Sequence, residues 1–327
     1  MGYMGYLGCL TQRDHHEYGP RAGACAPATC KTAMATKTSI RKEKAAIPAR
    51  PAPARAARAS EAPRPTSIEE RTAYLEARLH KASPVVQQRY RDSLDLSWIA
   101  HDSAIEGTVY TMDEMAAAID PNTDVTTLDS SVQPILNDVR RHREALDFAR
   151  DYATKRKLPI TIDVVKRIYC ILHPEEGDIK TVKYRKDIPQ HRLYFHEYAA
   201  PDKIAPKVRQ VIDWVNDPEA NKGRSAIRLA ARAHYDLLRV FPFQHDSGKV
   251  ARVFMNLLLL RGGYPPAIIH STERQRYYEA LKGANATMVQ IVQEAIDNSL
   301  ASIEKLLDDL ERRHGVNGVN GVNGASA

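Results

Sequence analysis

Apolar residues recur at spacings of three and four along most of the stretch 67–312, and this rhythm limits the fold more than any other feature. It is clear over 85–118, 134–155, 160–172, 202–216, 224–239, 247–262, 272–284 and 286–312. In the last of these, Ile291, Ala295, Leu300, Ile303, Leu306, Leu307 and Leu310 share one broad helical face. Pro201 and Pro206 mark a helix start, Asp217-Pro218 ends that helix, and Pro265-Pro266 marks a loop. One region breaks the rhythm. Residues 180–198 (KTVKYRKDIPQHRLYFHEY) set β-branched and aromatic side chains around Pro189, which predicts a short β-hairpin. The expected class is all-α, a helical bundle with one small hairpin.

Both ends depart from this pattern. Residues 45–66 hold five prolines and almost no large apolar side chains, so they cannot bury enough surface to fold. Gly315–Gly324 repeats Gly-Val-Asn, which opposes any regular element. The expected organisation is a disordered basic tail over 1–66 and a helical region over 67–160. A core over 161–312 and a disordered tail over 313–327 follow. The net charge is +7, yet residues 1–66 hold 11 of the 47 Lys and Arg against 4 of the 40 Asp and Glu. The remaining 36 charges of each sign cancel, so the fold itself carries no basic footprint for nucleic acid. The basic tail is left as a contact for acidic surfaces. No window approaches about 18 consecutive apolar residues, so no membrane span is expected. Cys9, Cys25, Cys30 and Cys170 show no CxxC spacing, which argues against zinc and against a disulfide framework. With no secretory pattern at the start, a cytoplasmic location is expected, and Met34 is an alternative start.

Chemistry concentrates in Phe241–Arg252 (FPFQHDSGKVAR). Pro242 stops one helical pattern and Ser247-Gly248 opens the next, with Ser247 placed as an N-cap. The first-turn N–H groups of a helix lack internal partners and carry the positive end of its dipole. Lys249 and Arg252 add positive charge, which makes the junction an anion site formed with Ser247 and Gly248.

The surroundings of this loop sharpen the reading. Ala233-His234, Asn256-Leu257-Leu258, Gly263-Tyr264-Pro265-Pro266 and Tyr277-Tyr278-Glu279-Ala280-Leu281 accompany it, and Trp214-Val215-Asn216 precedes it. Together they resemble the Fic (Fido) family, whose signature is His-Pro-Phe-x-(Asp/Glu)-Gly-Asn-Gly-Arg-x-x-Arg. The resemblance implies transfer of AMP, or another phosphate-containing group, from a nucleotide to a protein hydroxyl. It implies a histidine base, a magnesium ion on the acidic residue, a Gly-Asn-Gly phosphate nest and two arginines that neutralise charge. The hairpin carrying Tyr184-Arg185 would be the family's flap. Tyr277 and Tyr278 would lie near the nucleotide base, with only one of them facing it.

This chain departs from that signature at several points. Phe241 stands at the base position and cannot accept a proton. His245 stands at the magnesium-ligand position and is a poor donor for a hard cation. Asp246 replaces the first nest glycine, Ser247 the asparagine and Lys249 the first arginine; Pro242, Phe243, Gly248 and Arg252 are kept. Loss of a general base alone costs about 10²–10⁴ in rate. Upstream, Trp98–Thr108 (WIAHDSAIEGT) resembles the family's inhibitory helix. There Glu106 would pair with Arg252, Gly107 suits a helix end, and Asp102 occupies the Ser/Thr position.

The expected function is a divergent Fic protein without conventional AMP transfer. It would bind ATP or another nucleotide, with magnesium disfavoured, and act as a binding or regulatory module. A protein partner would meet the flap edge by β-augmentation. The alternative is an enzyme of altered phosphate-group chemistry using His245 or Asp246. An AMP transferase that tolerates the changes and a nucleic-acid binder using the tail are weaker readings. Family resemblance allows a homodimer, and no residue pattern decides it.

Overall fold

A computed structural model of the chain describes residues 65–124, 128–189 and 197–320, with side chains as far as Arg313. All of these lie in the second of two units, Glu61–Ala327. Ten helices follow one another among the described residues: α1 Ile68–Lys81, α2 Pro84–Glu106, α3 Met112–Ile119, α4 Gln133–Thr154, α5 Ile162–Leu172, α6 Pro201–Asn216, α7 Ala226–Val240, α8 Ser247–Arg261, α9 Arg274–Ala280 and α10 Asn285–Asn320. None is long and apolar enough to cross a membrane.

The centre is α8. Its residues from Ser247 to Leu259 are all buried. A helix covered on every side must lie inside the bundle, and α8 packs against α7, α4, α5 and α2. The helices before and after residue 160 therefore share one core. Asn256 of α8 holds the following loop by accepting from Ala267 N–H at 2.8 Å and donating to Ala267 C=O at 3.3 Å.

The segment 85–118 is not one helix. Gly107 ends α2 in the left-handed region with φ 98°, and a capping box between Thr111 and Glu114 starts α3. A second box, Ser67 with Glu70, starts α1, whose residues lie outside the eight periodic stretches. Helix α1 is tied to α10 by ion pairs, Arg71 to Asp297 and Glu304, and Arg78 to Asp308 and Glu311. At the other end, α10 runs past the expected boundary at 312 to Asn320, into the Gly-Val-Asn repeat. Adding residues to an existing helix is far easier than nucleating one, even through glycine.

The expected hairpin is not seen. Among the described residues of 180–198 there is no strand, and 190–196 lie outside them. The backbone donors that a ladder would use go elsewhere. Lys180 and Thr181 N–H donate to the Asp178 carboxylate, and Arg185 N–H donates to Pro242 C=O at 2.9 Å. Pro189 has no N–H to give.

Along α2, Asp95, Ile99, Asp102 and Glu106 recur at spacings of four, three and four and so share one face. Asp95 is fully buried between Arg143 and Arg150 of α4. This fixes how α2 lies on the bundle before its C-terminal turn reaches α8. Because α8 is the shared core, truncating it should be costly. Leu257→Ala, at a fully buried position, is expected to destabilise the fold by about 3 kcal/mol in denaturant titration.

Candidate functional site

The loop between α7 and α8 turns through two residues with positive φ, Phe241 (50°) and Asp246 (46°). Such conformations are unfavourable for residues with a side chain and persist only when their surroundings impose them. Arg185 imposes the first turn. Its buried guanidinium donates to Phe241 C=O at 2.6 Å, Val240 C=O at 3.1 Å, Ala199 C=O at 2.5 Å and Asp187 C=O at 2.7 Å. Two of these are end carbonyls of α7, where the helix dipole favours a cation. Ser247 closes the second turn. Its hydroxyl donates to Phe243 C=O at 2.9 Å and accepts from Phe243 N–H at 2.8 Å. Phe243 stacks on Tyr169, with centroids 4.0 Å apart, and meets Tyr184 at 5.7 Å.

These contacts reassign four expected residues. Ser247 is fully buried and faces the loop interior, so its hydroxyl is not a phosphate ligand, and the N-cap position falls to Asp246. Tyr184 and Arg185 brace the loop from within, Tyr184 against Phe243 and Arg185 on the loop carbonyls. Phe241 is buried and packs its ring 5.2 Å from Tyr198.

Arg252 gathers the deepest part of the site. Its Nη2 donates to Glu106 Oε1 at 2.6 Å, its Nε to Asp102, and its Nη1 to Tyr277 OH at 3.3 Å. Asp102 Oδ2 also lies 3.0 Å from His142 Nε2 of α4. Burial opposes ionisation of Asp102, but Arg252 and His142 outweigh it and hold the carboxyl below its ordinary value. The expected Glu106–Arg252 contact is therefore formed. Asp102, read from sequence only as a departure from the family's Ser/Thr, is a second carboxylate on the same guanidinium. A methyl group placed on Gly248 would overlap Glu106 Oε1, so the Glu106 carboxylate lies directly over the first turn of α8. The last turn of α2 is clamped there. Ile105 C=O accepts from Arg274 Nε at 2.7 Å and from Tyr278 OH at 2.6 Å.

Tyr277 and Tyr278 thus serve the protein interior. Both are buried, one on Arg252 and the other on α2. Tyr277 OH also lies 2.9 Å from His234 Nε2. Burial, reinforced by Arg252, pushes His234 down to about 3, so it is neutral at ordinary pH. His191 and His196 lie outside the described residues.

The second cation, Lys249, is buried beside Asp246. Its Nζ lies 3.3 Å from Asp246 Oδ2, and the same oxygen lies 3.0 Å from His173 Nε2. His173 Nδ1 is 3.1 Å from Glu175. Burial alone would raise Asp246, but His173 and Lys249 hold it far below the usual carboxylate range. Burial likewise works against Lys249, and Asp246 more than offsets it. Nothing in the sequence rhythm signalled His173; it sits just past α5, before a short 3-10 turn at Pro174–Glu176. His245 is exposed, with its ring 5.8 Å from His173.

Magnesium does not fit the residues present. The position that should offer an oxygen ligand is His245, and the adjacent Asp246 carboxylate is engaged by Lys249 and His173. Among the described residues no group of three His, Cys, Asp or Glu is arranged to hold a metal ion.

Burial lowers the pKa of His173, but Asp246 and Glu175 win and raise it above its ordinary 6.5. A raised folded value means that the stabilisation is complete below the unfolded pKa and is lost as pH rises through the folded one. As pH rises from the ordinary imidazole value through the raised folded value, the wild type should lose stability relative to His173→Gln in urea titrations. A difference that does not change with pH would contradict the pairing.

The Fic/DOC family model matches residues 159–259. A protein adenylyltransferase Fic of Nematostella vectensis is 31% identical over 191 residues, 57% of this chain and 42% of that protein. Protein adenylyltransferase fic-1 of Caenorhabditis briggsae is 28% identical over 233 residues, 67% of this chain and 42% of that protein. The chain thus spans under half the length of these curated relatives. In fold it is similar to a Fic domain containing signaling protein from Bacteroides thetaiotaomicron, with TM-score 0.60, 19% identity and coverage of 73% of this chain and 98% of that one. It is also similar to Fic-1 from C. elegans, with TM-score 0.58, 22% identity and coverage of 73% and 69%. Over residues 159–259 this chain matches the Fic/DOC family model, and its helical order is similar to that of the Fic structures.

Proposed function

We propose that this protein is a Fic-family member that closes its own phosphate site and does not transfer AMP by the family's usual route. The observation that carries the reading is Phe241. A buried phenyl ring stands where the resemblance requires a proton acceptor, and no chemistry of a phenyl ring replaces a base. Around it the anion site is present in outline, with the start of α8, Lys249 and Arg252, but Glu106 lies across it. The related proteins are named protein adenylyltransferases, and the ligand this site would take is ATP or another nucleotide. Its role is then that of a nucleotide-responsive binding or regulatory module. The described part of the flap segment offers an exposed turn to a partner, where Ile188 is 60% exposed beside Lys186 and Asp187.

Altered phosphate chemistry through Asp246 is poorly supported, since a carboxylate held far below its ordinary range is a weak base. His245 is the exposed imidazole on the loop, and it alone keeps that second reading open.

The test is incubation of the full chain and of Glu106→Gly with magnesium and ATP labelled at the α-phosphate. Neither should transfer label to protein. In calorimetry, Glu106→Gly should tighten ATP binding about tenfold by removing one charge and uncovering α8. Labelling that survives His245→Ala would contradict the reading. Labelling abolished by that change would favour the altered enzyme.

A further inference from the structure

We propose that Asp246 is a second internal lock on the phosphate site, so that Glu106 and Asp246 must both leave before a polyphosphate can bind tightly. This rests on the closed phosphate site proposed above and names what closes its other half.

The site has two cations, and each already has an anion supplied by the chain. Arg252 is held by Asp102 and Glu106 from α2. Lys249 is held by Asp246 at 3.3 Å from the N-terminal edge of α8 itself. The two locks are independent in origin. Glu106 arrives from a different helix, on the last turn of α2. Asp246 is fixed in the loop, one residue before α8, and no movement of α2 displaces it.

Three features make Asp246 more than an incidental substitution. Its backbone sits at φ 46°, a conformation that favours glycine, so the loop keeps its shape although the residue has changed. Its carboxylate is three-quarters shielded, and its Oδ2 lies between His173 Nε2 and Lys249 Nζ. That imidazole is itself held by Glu175, so four groups form an alternating chain, Glu175, His173, Asp246 and Lys249. A phosphate approaching the first turn of α8 would meet a carboxylate where the family places a nest of backbone N–H groups. It would also find Lys249 already neutralised. Withdrawing Glu106 alone leaves this repulsion in place, because like charges brought together in a partly buried site are strongly unfavourable.

The experiment is calorimetric titration of ATP, with and without magnesium, into the full-length wild type, Glu106→Gly, Asp246→Asn and the double variant. Asn tolerates the left-handed backbone, and Asp246→Gly serves as a second variant should the amide disturb the loop. Thermal melts confirm that each variant is folded. The expected result is a modest gain for Glu106→Gly and a small change for Asp246→Asn. The double variant should bind on the order of 100-fold more tightly than wild type, beyond the product of the singles. If the double variant binds no more tightly than Glu106→Gly, the second lock is wrong while the closure by Glu106 stands. If neither tightens, both readings fail.

Discussion

The buried guanidinium of Arg252 is the point on which the arrangement of this protein turns. It belongs to the central helix, is 2% exposed, and carries two carboxylates from α2 together with a tyrosine from α9. Removing one partner of such a buried pair leaves an uncompensated charge in a medium that solvates it poorly, at a cost of about 3–5 kcal/mol. Helices α2 and α8 are therefore not free to separate independently. Asp102 extends the same knot to His142 on α4, and Asp95, two helical turns earlier, repeats the anchoring with Arg143 and Arg150. The position of Glu106 over α8 follows from this chain of pairs rather than from its own contact alone.

The site is best understood as an anion pocket whose anions are built in. A helix N-terminus with Lys249 and Arg252 nearby would attract phosphate. Asp102, Glu106 and Asp246 offset that charge from within the fold. The steric detail agrees with the electrostatic one. Gly248 has no room for a side chain because the Glu106 carboxylate occupies the space above it. Meanwhile the loop that would position a reacting group is held rigidly, by Arg185 on one side and Ser247 on the other. The loop keeps this frame with buried Phe241 at the position where the family resemblance places the base.

Much of this was legible in the sequence. Apolar spacing located the helices from 134 to 172, from 202 to 262 and beyond 286, because each buries one continuous face. Gly107 marked a helix end, and the Glu106–Arg252 contact followed from the family resemblance. Other features lie in local capping chemistry and not in apolar rhythm. The Ser67–Glu70 and Thr111–Glu114 capping boxes announce α1 and the break between α2 and α3. No strand is seen among the described residues of 180–198, because alternation of side chains says nothing about where backbone donors go, and Arg185 N–H goes to Pro242 C=O. The pairings of Asp102 with Arg252 and of His173 with Asp246 span 150 and 73 residues, and no periodicity encodes a contact of that range. Ser247 illustrates the same limit. Its residue type fits a phosphate ligand or an N-cap, and only the fold turns its hydroxyl inward onto Phe243.

The claim that the Arg252 knot joins α2 to α8 is tested most directly by a double-mutant cycle on stability, with Asp102→Asn, Arg252→Met and the two combined, measured by urea unfolding of the full chain. The account predicts a favourable coupling of about 2 kcal/mol or more between the two positions. Additive effects, with coupling near zero, would show that the two helices are held together by apolar packing alone and would contradict it.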